Sequence, residues 1–220
     1  VLFSLTAHSE NFSGDDFNGA WESDGGNQKV QPVGWHALSC NASGVFGSMK
    51  GGTVTKGGDE SDASPIIENT FAGTKGGWMT TGYVIPGILS LGTPWIYVNT
   101  NYFTAATGDL GVDGGVEFTG RPSKITFKAQ YYNAPTSDID DAAHIKVYLW
   151  KGSAESTDKN GANHTDEMSA VLAGNAGATL IGSGELTIDN DIDVFESKEI
   201  SIDYTSQEIP EKMNIVFCAS

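Results

Sequence analysis

Positive charge is scarce in this chain. Lys and Arg number 12 against 28 Asp and Glu, for a formal charge of −16 at pH 7. The cations are scattered, so no basic stripe exists to neutralise a phosphate backbone, and nucleic acid is excluded as a partner. An anionic lipid surface repels the same charge, which leaves neutral ligands, cationic ligands and metal ions, with neutral sugars fitting well. Cysteine is scarcer still. Cys40 and Cys218 stand at opposite ends of the sequence, which excludes a cysteine-based zinc cluster and allows at most one intramolecular bridge, with two small buried side chains as the alternative. His8, His36, His144 and His164 are too dispersed to suggest a zinc site or a catalytic triad. Gly-x-Ser-x-Gly, a phosphate loop, a dinucleotide glycine fingerprint and His-Glu-x-x-His are all absent.

A long apolar run is missing too. Residues 76–108 carry no charge, but Gly82, Pro86, Gly87, Gly92 and Pro94 interrupt them, so the stretch is not a membrane helix and no direct membrane insertion is expected. The opening Val1-Leu2-Phe3-Ser4-Leu5-Thr6-Ala7 has neither the basic flank nor the apolar length of a signal peptide, so a targeting segment would lie outside this sequence.

What is present is turn-forming and strand-forming material. The 28 Gly imply many tight turns, and a 39% hydrophobic fraction with five Trp, seven Tyr and ten Phe is enough for one core over residues 1–220. Lys124–Tyr131 alternates apolar and polar residues at period two, and Ile145–Trp150 follows after a Pro/Asp-rich turn, so these two are expected to be antiparallel neighbours. Glu185–Ile188, Glu199–Tyr204 and Met213–Phe217 continue the pattern. In the first half Val33–Leu38, Trp78–Thr81, Gly87–Leu91 and Trp95–Asn99 are candidate strands, whereas the Gly/Ser/Asp-rich segments 43–64 and 104–116 are expected to be loops. Thr165–Ala173 is the one helix-like stretch, with Thr165 as N-cap and Gly174 as stop. The fold class is therefore all-β, a two-sheet antiparallel β-sandwich of jelly-roll type in a single domain.

Several segments in order carry a family resemblance: Asp16-Phe17-Asn18-Gly19-Ala20-Trp21, Pro32-Val33-Gly34-Trp35, Pro86 to Thr93, Phe118-Thr119-Gly120-Arg121-Pro122 before Lys128-Ala129-Gln130-Tyr131-Tyr132, and Val147-Tyr148-Leu149-Trp150. The chain resembles the carbohydrate metabolism domain (PCMD) family of surface proteins from gut Bacteroidetes, over most of residues 10–217. Gln31 stands where that family usually has Lys before the Pro. Its members continue into a last strand with an acidic Asp-x-Val-Glu motif, whereas this sequence stops at Cys218-Ala219-Ser220. The resemblance implies a jelly roll similar to galactose-binding and other carbohydrate-binding modules. It also implies an extracytoplasmic location at the surface or in the periplasm of a Gram-negative bacterium, secreted or as an outer-membrane lipoprotein, and no catalytic residues. Trp21, Trp35 and Trp150 fall in its framework segments and are expected in the core.

Two groups of residues are candidate sites. Strand alternation over Trp95–Asn99 puts Trp95, Tyr97 and Asn99 on one face, with the two aromatics about 7 Å apart. That spacing suits stacking on neighbouring sugar rings, with Asn99 bonding hydroxyls; the same aromatics also suit a core or a sheet end. Asp189, Asp191 and Asp193 alternate oxygen ligands as a calcium loop opens, but Val194 replaces the Gly and Ile200 the twelfth-position Glu of an EF-hand, leaving a structural calcium ion of another kind or a solvated acidic turn. Asp138-Ile139-Asp140-Asp141 offers less.

The leading expectation is a non-catalytic, glycan-binding accessory domain for an oligo- or polysaccharide. One alternative is a glycoside hydrolase using a carboxylate pair, for which 28 acids make some suitable spacing inevitable by chance. The other is a surface adhesion or assembly module that binds protein through an edge strand or an exposed aromatic patch.

Overall fold

The structure is a computed structural model that describes residues 2–5, 12, 16–23, 30–44, 47–58, 63–76, 79–98, 108–133, 141–152 and 178–219. Every regular element among them is a β-strand, and all the pairings are antiparallel. A five-stranded sheet has the order β18 (Ile192–Ser201), β15 (Lys124–Tyr131), β1 (Leu2–Leu5), β8 (Ser64–Ile67), β7 (Val54–Gly57). A seven-stranded sheet has the order β19 (Asp203–Tyr204), β17 (Ala178–Ile188), β16 (Ala143–Gly152), β20 (Lys212–Ala219), β11 (Gly87–Ser90), β4 (His36–Ala37), with β14 (Val116–Glu117) also paired to β20. Four two-stranded ribbons complete the set: β2 (Trp21–Ser23) with β3 (Val30–Pro32), β5 (Ser39–Gly44) with β6 (Gly47–Gly52), β9 (Thr70–Gly76) with β10 (Met79–Ile85), and β12 (Thr93–Val98) with β13 (Gly108–Asp113).

Period-two patterning explains how the two large sheets meet. Along β15, Phe127, Ala129 and Tyr131 are buried, and the residues between them are not. On β16 the buried set Ala143, Ile145, Val147 and Leu149 joins the same core cluster, as do Met213, Ile215 and Phe217 of β20. Phe127 from one sheet and Phe217 from the other touch edge to face, with ring centroids 5.6 Å apart and planes at 77°. The sheets therefore pack face to face around a shared core, a sandwich-like arrangement in which each fully buried large side chain contributes about 1.5–3 kcal/mol. Trp35 extends the ring chain, lying 5.7 Å from Phe217 and 5.4 Å from Phe17.

The entry of Trp35 is set by local chemistry. Gly34 has φ 88° and the Trp35 N–H donates to the Pro32 carbonyl at 3.0 Å, the geometry of a type II turn whose third residue must tolerate positive φ. Pro-Val-Gly-Trp is thus a turn that delivers an indole into the core. Gln31, just before it, is buried: its amide nitrogen donates to Glu22 at 2.5 Å and its amide oxygen accepts the Ala37 N–H at 2.9 Å. A Lys there could not accept that second bond.

A smaller apolar cluster, Leu38, Ile85, Ile88 and Val112 with Ile96, Val216 and Cys218 packed against it, lies on the other side of the seven-stranded sheet, where the β12–β13 ribbon covers β11 and β20. Cys218 has the half-buried place of a small apolar side chain there.

Three expectations are corrected. Lys124–Tyr131 and Ile145–Trp150 are not neighbours: β15 pairs with β1 and β18, β16 with β17 and β20, because the chain changes sheets between them. Segment 43–64 contains β6 and β7, and segment 104–116 contains β13; ladder bonds run through the backbone, so Gly-rich strands form where a partner is supplied, whatever their propensity. The helix expected over 165–173 lies outside the described residues, as do Asp138 and Asp140.

Candidate functional site

Among the described residues, the most exposed aromatic surface forms where β15 ends. Tyr131 points into the core at 3% exposure, so Tyr132, one residue on, points out at 56%. Opposite it, β18 is irregular: Ala129 pairs with Glu196 but Tyr131 pairs with Ile192, so two steps on β15 are matched by four on β18. The surplus forms a bulge over Asp193, Val194 and Phe195, which bends a strand and re-aims its side chains. Phe195 lies in the bulge and is 38% exposed, at the same corner of the sheet as Tyr132. The bulge is pinned from β15: the backbone carbonyl of Asp193 accepts the Gln130 amide at 2.9 Å and the Tyr132 hydroxyl at 3.1 Å. Tyr132 and Phe195 are the two exposed aromatic side chains among those described.

The acidic turn beside this corner is occupied with local bonds. Asp189 accepts the Asn190 amide at 2.7 Å, and Asp191 accepts the Asn133 backbone N–H at 2.8 Å. Among the described residues no three His, Cys, Asp or Glu side chains are grouped to hold a metal ion. Asp189 and Asp191 fix the turn with their side chains, and Asp193 acts through its main-chain carbonyl. A cleft of about 330 Å³ opens between β17 and β18, bounded by Leu186, Ile188, Asp189, Asp191, Glu196 and Lys198. Tyr131 ends close to this turn, its hydroxyl buried without a hydrogen-bond partner. Burial first, and then the negative charges of Asp141, Asp191 and Asp189, raise its pKa above the ordinary value of 10.0.

Trp95 stands elsewhere. On β12 it pairs with Gly111 and alternates with Ile96, which packs on the smaller cluster; Trp95 is half-buried and its indole nitrogen is covered. Tyr97 pairs with Asp109 through the backbone, and its side chain lies outside the described residues, as does Asn99 altogether.

No family model, curated protein or solved structure matches the chain.

A second surface lies on the outer face of the seven-stranded sheet, where a cleft of about 390 Å³ is lined by Lys146, Tyr148, Ser183, Gly184, Glu185 and Asp203. Register builds it in two rows. Tyr148 sits opposite Ser183, which sits opposite Asp203, and Lys146 sits opposite Glu185. Tyr148, 9% exposed, is a floor rather than a free platform. Gly184 faces the other way, where an added Cβ would come within 2.4 Å of the Ser201 carbonyl oxygen; only glycine lets β17 close against β18 there.

Alternation on β15 was sufficient to separate Tyr131 from Tyr132. Nothing in Asp193-Val194-Phe195-Glu196 marked the bulge that exposes Phe195, and the second cleft arises from pairings among β16, β17 and β19 that no local pattern announces.

Proposed function

We propose that this chain is an extracytoplasmic glycan-binding domain without catalysis of its own, a sandwich of the jelly-roll type used by carbohydrate-binding modules, which holds a neutral oligo- or polysaccharide on the Tyr132–Phe195 surface. One observation carries the reading: two exposed aromatic side chains, Tyr132 and Phe195, stand at one corner of a sheet, at a bulge pinned by Gln130 and Tyr132. Aromatic faces gain from contact with sugar C–H groups, and rigid aromatics lose little freedom on binding. The charge of −16 favours neutral over acidic glycans. The resemblance to the Bacteroidetes carbohydrate metabolism domain points the same way and supports a place at the surface or in the periplasm of a Gram-negative cell.

The experiment is a binding screen against plant and host glycans by intrinsic fluorescence, with Tyr132→Ala and Phe195→Ala beside the wild type. We expect saturable binding that each substitution weakens at least tenfold, with the melting temperature unchanged in Phe195→Ala and a single cooperative unfolding transition kept in Tyr132→Ala, which loses its hydrogen bond to the Asp193 carbonyl. Reducing-end release by the wild type, or full binding by both variants, would sink the proposal. A glycan-silent protein that captures a protein ligand would favour the adhesion reading, for which edge strand β18, with Val194 66% exposed, is the feature to mutate.

A further inference from the structure

We propose that the domain carries two glycan sites on opposite faces and so bridges separate glycan chains. The inference rests on the glycan-binding reading of the Tyr132–Phe195 surface and adds the cleft of Lys146, Tyr148, Ser183, Glu185 and Asp203 as the second site.

The chemistry of the cleft is that of polyol recognition. Glu185 and Asp203 are exposed acceptors, Lys146 is an exposed donor, and Ser183 can do either, all above an aromatic floor. A sugar hydroxyl donates and accepts at once, so a lining that alternates acceptors and donors satisfies neighbouring hydroxyls in pairs. The row Tyr148–Ser183–Asp203 crosses three adjacent strands and spans about 10 Å at the usual strand spacing. Two carboxylates against one ammonium leave the cleft acidic, which repels uronic and sulfated sugars and keeps the ligand class neutral. The volume of about 390 Å³ is within the range of small-ligand sites.

The geometry makes the pair of sites bivalent. Phe127 and Phe217 meet in the core between the sheets, so the outer face of β15 and β18 and the outer face of β16, β17 and β19 look in opposite directions. A short oligosaccharide cannot reach from one to the other. Each site takes its own chain, and a long polysaccharide becomes a cross-linked network held by avidity.

The test uses soluble mannan, xyloglucan and amylose, with hexasaccharides cut from each, against the whole chain. For the polysaccharide that binds, calorimetry with its hexasaccharide should give two sites per chain. Light scattering of the intact polymer should rise with protein and fall again at excess. Glu185→Ala with Asp203→Ala, both solvent-exposed positions, should keep the wild-type melting temperature, lower the stoichiometry to one and abolish the scattering. Phe195→Ala should likewise lower the stoichiometry to one and abolish the scattering, from the other side of the domain. A wild-type stoichiometry of one, or two sites retained in the Glu185/Asp203 variant, overturns the bridging inference and leaves the first site standing. If none of the three polysaccharides binds, the inference and the reading beneath it fall together.

Discussion

Tyr131 and Tyr132 are chain neighbours with opposite fates, and strand alternation accounts for both. The apolar–polar rhythm of Lys-Ile-Thr-Phe-Lys-Ala-Gln-Tyr was enough to bury the first and expose the second. What it could not convey is that the Tyr131 hydroxyl would be buried without a partner, since that depends on what the turn 189–191 brings near. An unsatisfied buried hydroxyl costs about 1–3 kcal/mol, so Tyr131→Phe should be neutral or stabilise the protein by about 1 kcal/mol in urea denaturation at pH 7. The raised pKa adds a pH signature. The folded phenol holds its proton to higher pH than the unfolded one, so stability is complete below about pH 10 and falls as pH climbs through the folded value. That alkaline loss should be shallower in Tyr131→Phe, and a variant that loses stability at pH 7 would show that the hydroxyl is satisfied after all. The candidate residues drawn from the sequence met the opposite limit: the same spacing that suits Trp95 for a ligand suits it for packing, and only the position of β12 over the smaller cluster accounts for its half-buried state.

At the scale of elements, Phe-Thr-Gly-Arg-Pro shows how a legible motif acquires a physical task. Arg121 stacks over Tyr204 at 4.1 Å, donates to the Ser206 carbonyl at 2.8 Å and to that of Glu208, while the Tyr204 hydroxyl donates to the Pro122 carbonyl at 2.8 Å. One side chain thereby fastens the approach to β15 onto β19 and the turn after it. A lysine cannot span two carbonyls and stack as a plane, so Arg121→Lys should cost about 1–2 kcal/mol in equilibrium unfolding. Because β19 carries Asp203, the same variant should also weaken ligand binding in the Tyr148 cleft; unchanged stability would mean that the stack is incidental. Strands with alternating side chains were legible, whereas β6, β7 and β13 were not, because their Gly-rich stretches owe their form to hydrogen bonds from a partner strand. The pairing of β15 with β16 was misjudged for a related reason: nearness in sequence favours a hairpin, but two strands with one buried face each can also be placed on opposite sides of a core.

For the whole molecule, the class was legible because turn residues and period-two patterning recur from end to end. The assignment of strands to two sheets was not, since it is fixed by contacts between residues far apart, such as Phe127 with Phe217. Phe217→Ala should therefore destabilise the protein by about 3–5 kcal/mol, with both sheets lost in one cooperative transition by circular dichroism and Trp fluorescence. Non-coincident transitions would show instead that the sheets fold separately.

The places of the first and last strands have a mechanical consequence. β1 lies between β15 and β8, and β20 between β16 and β11, so neither is a sheet edge. A protein under tension yields readily where a border strand peels away one bond at a time. Here a pull on β1 or on β20 must break hydrogen bonds to two flanking strands together, and force applied across the pair is carried through the interior of both sheets.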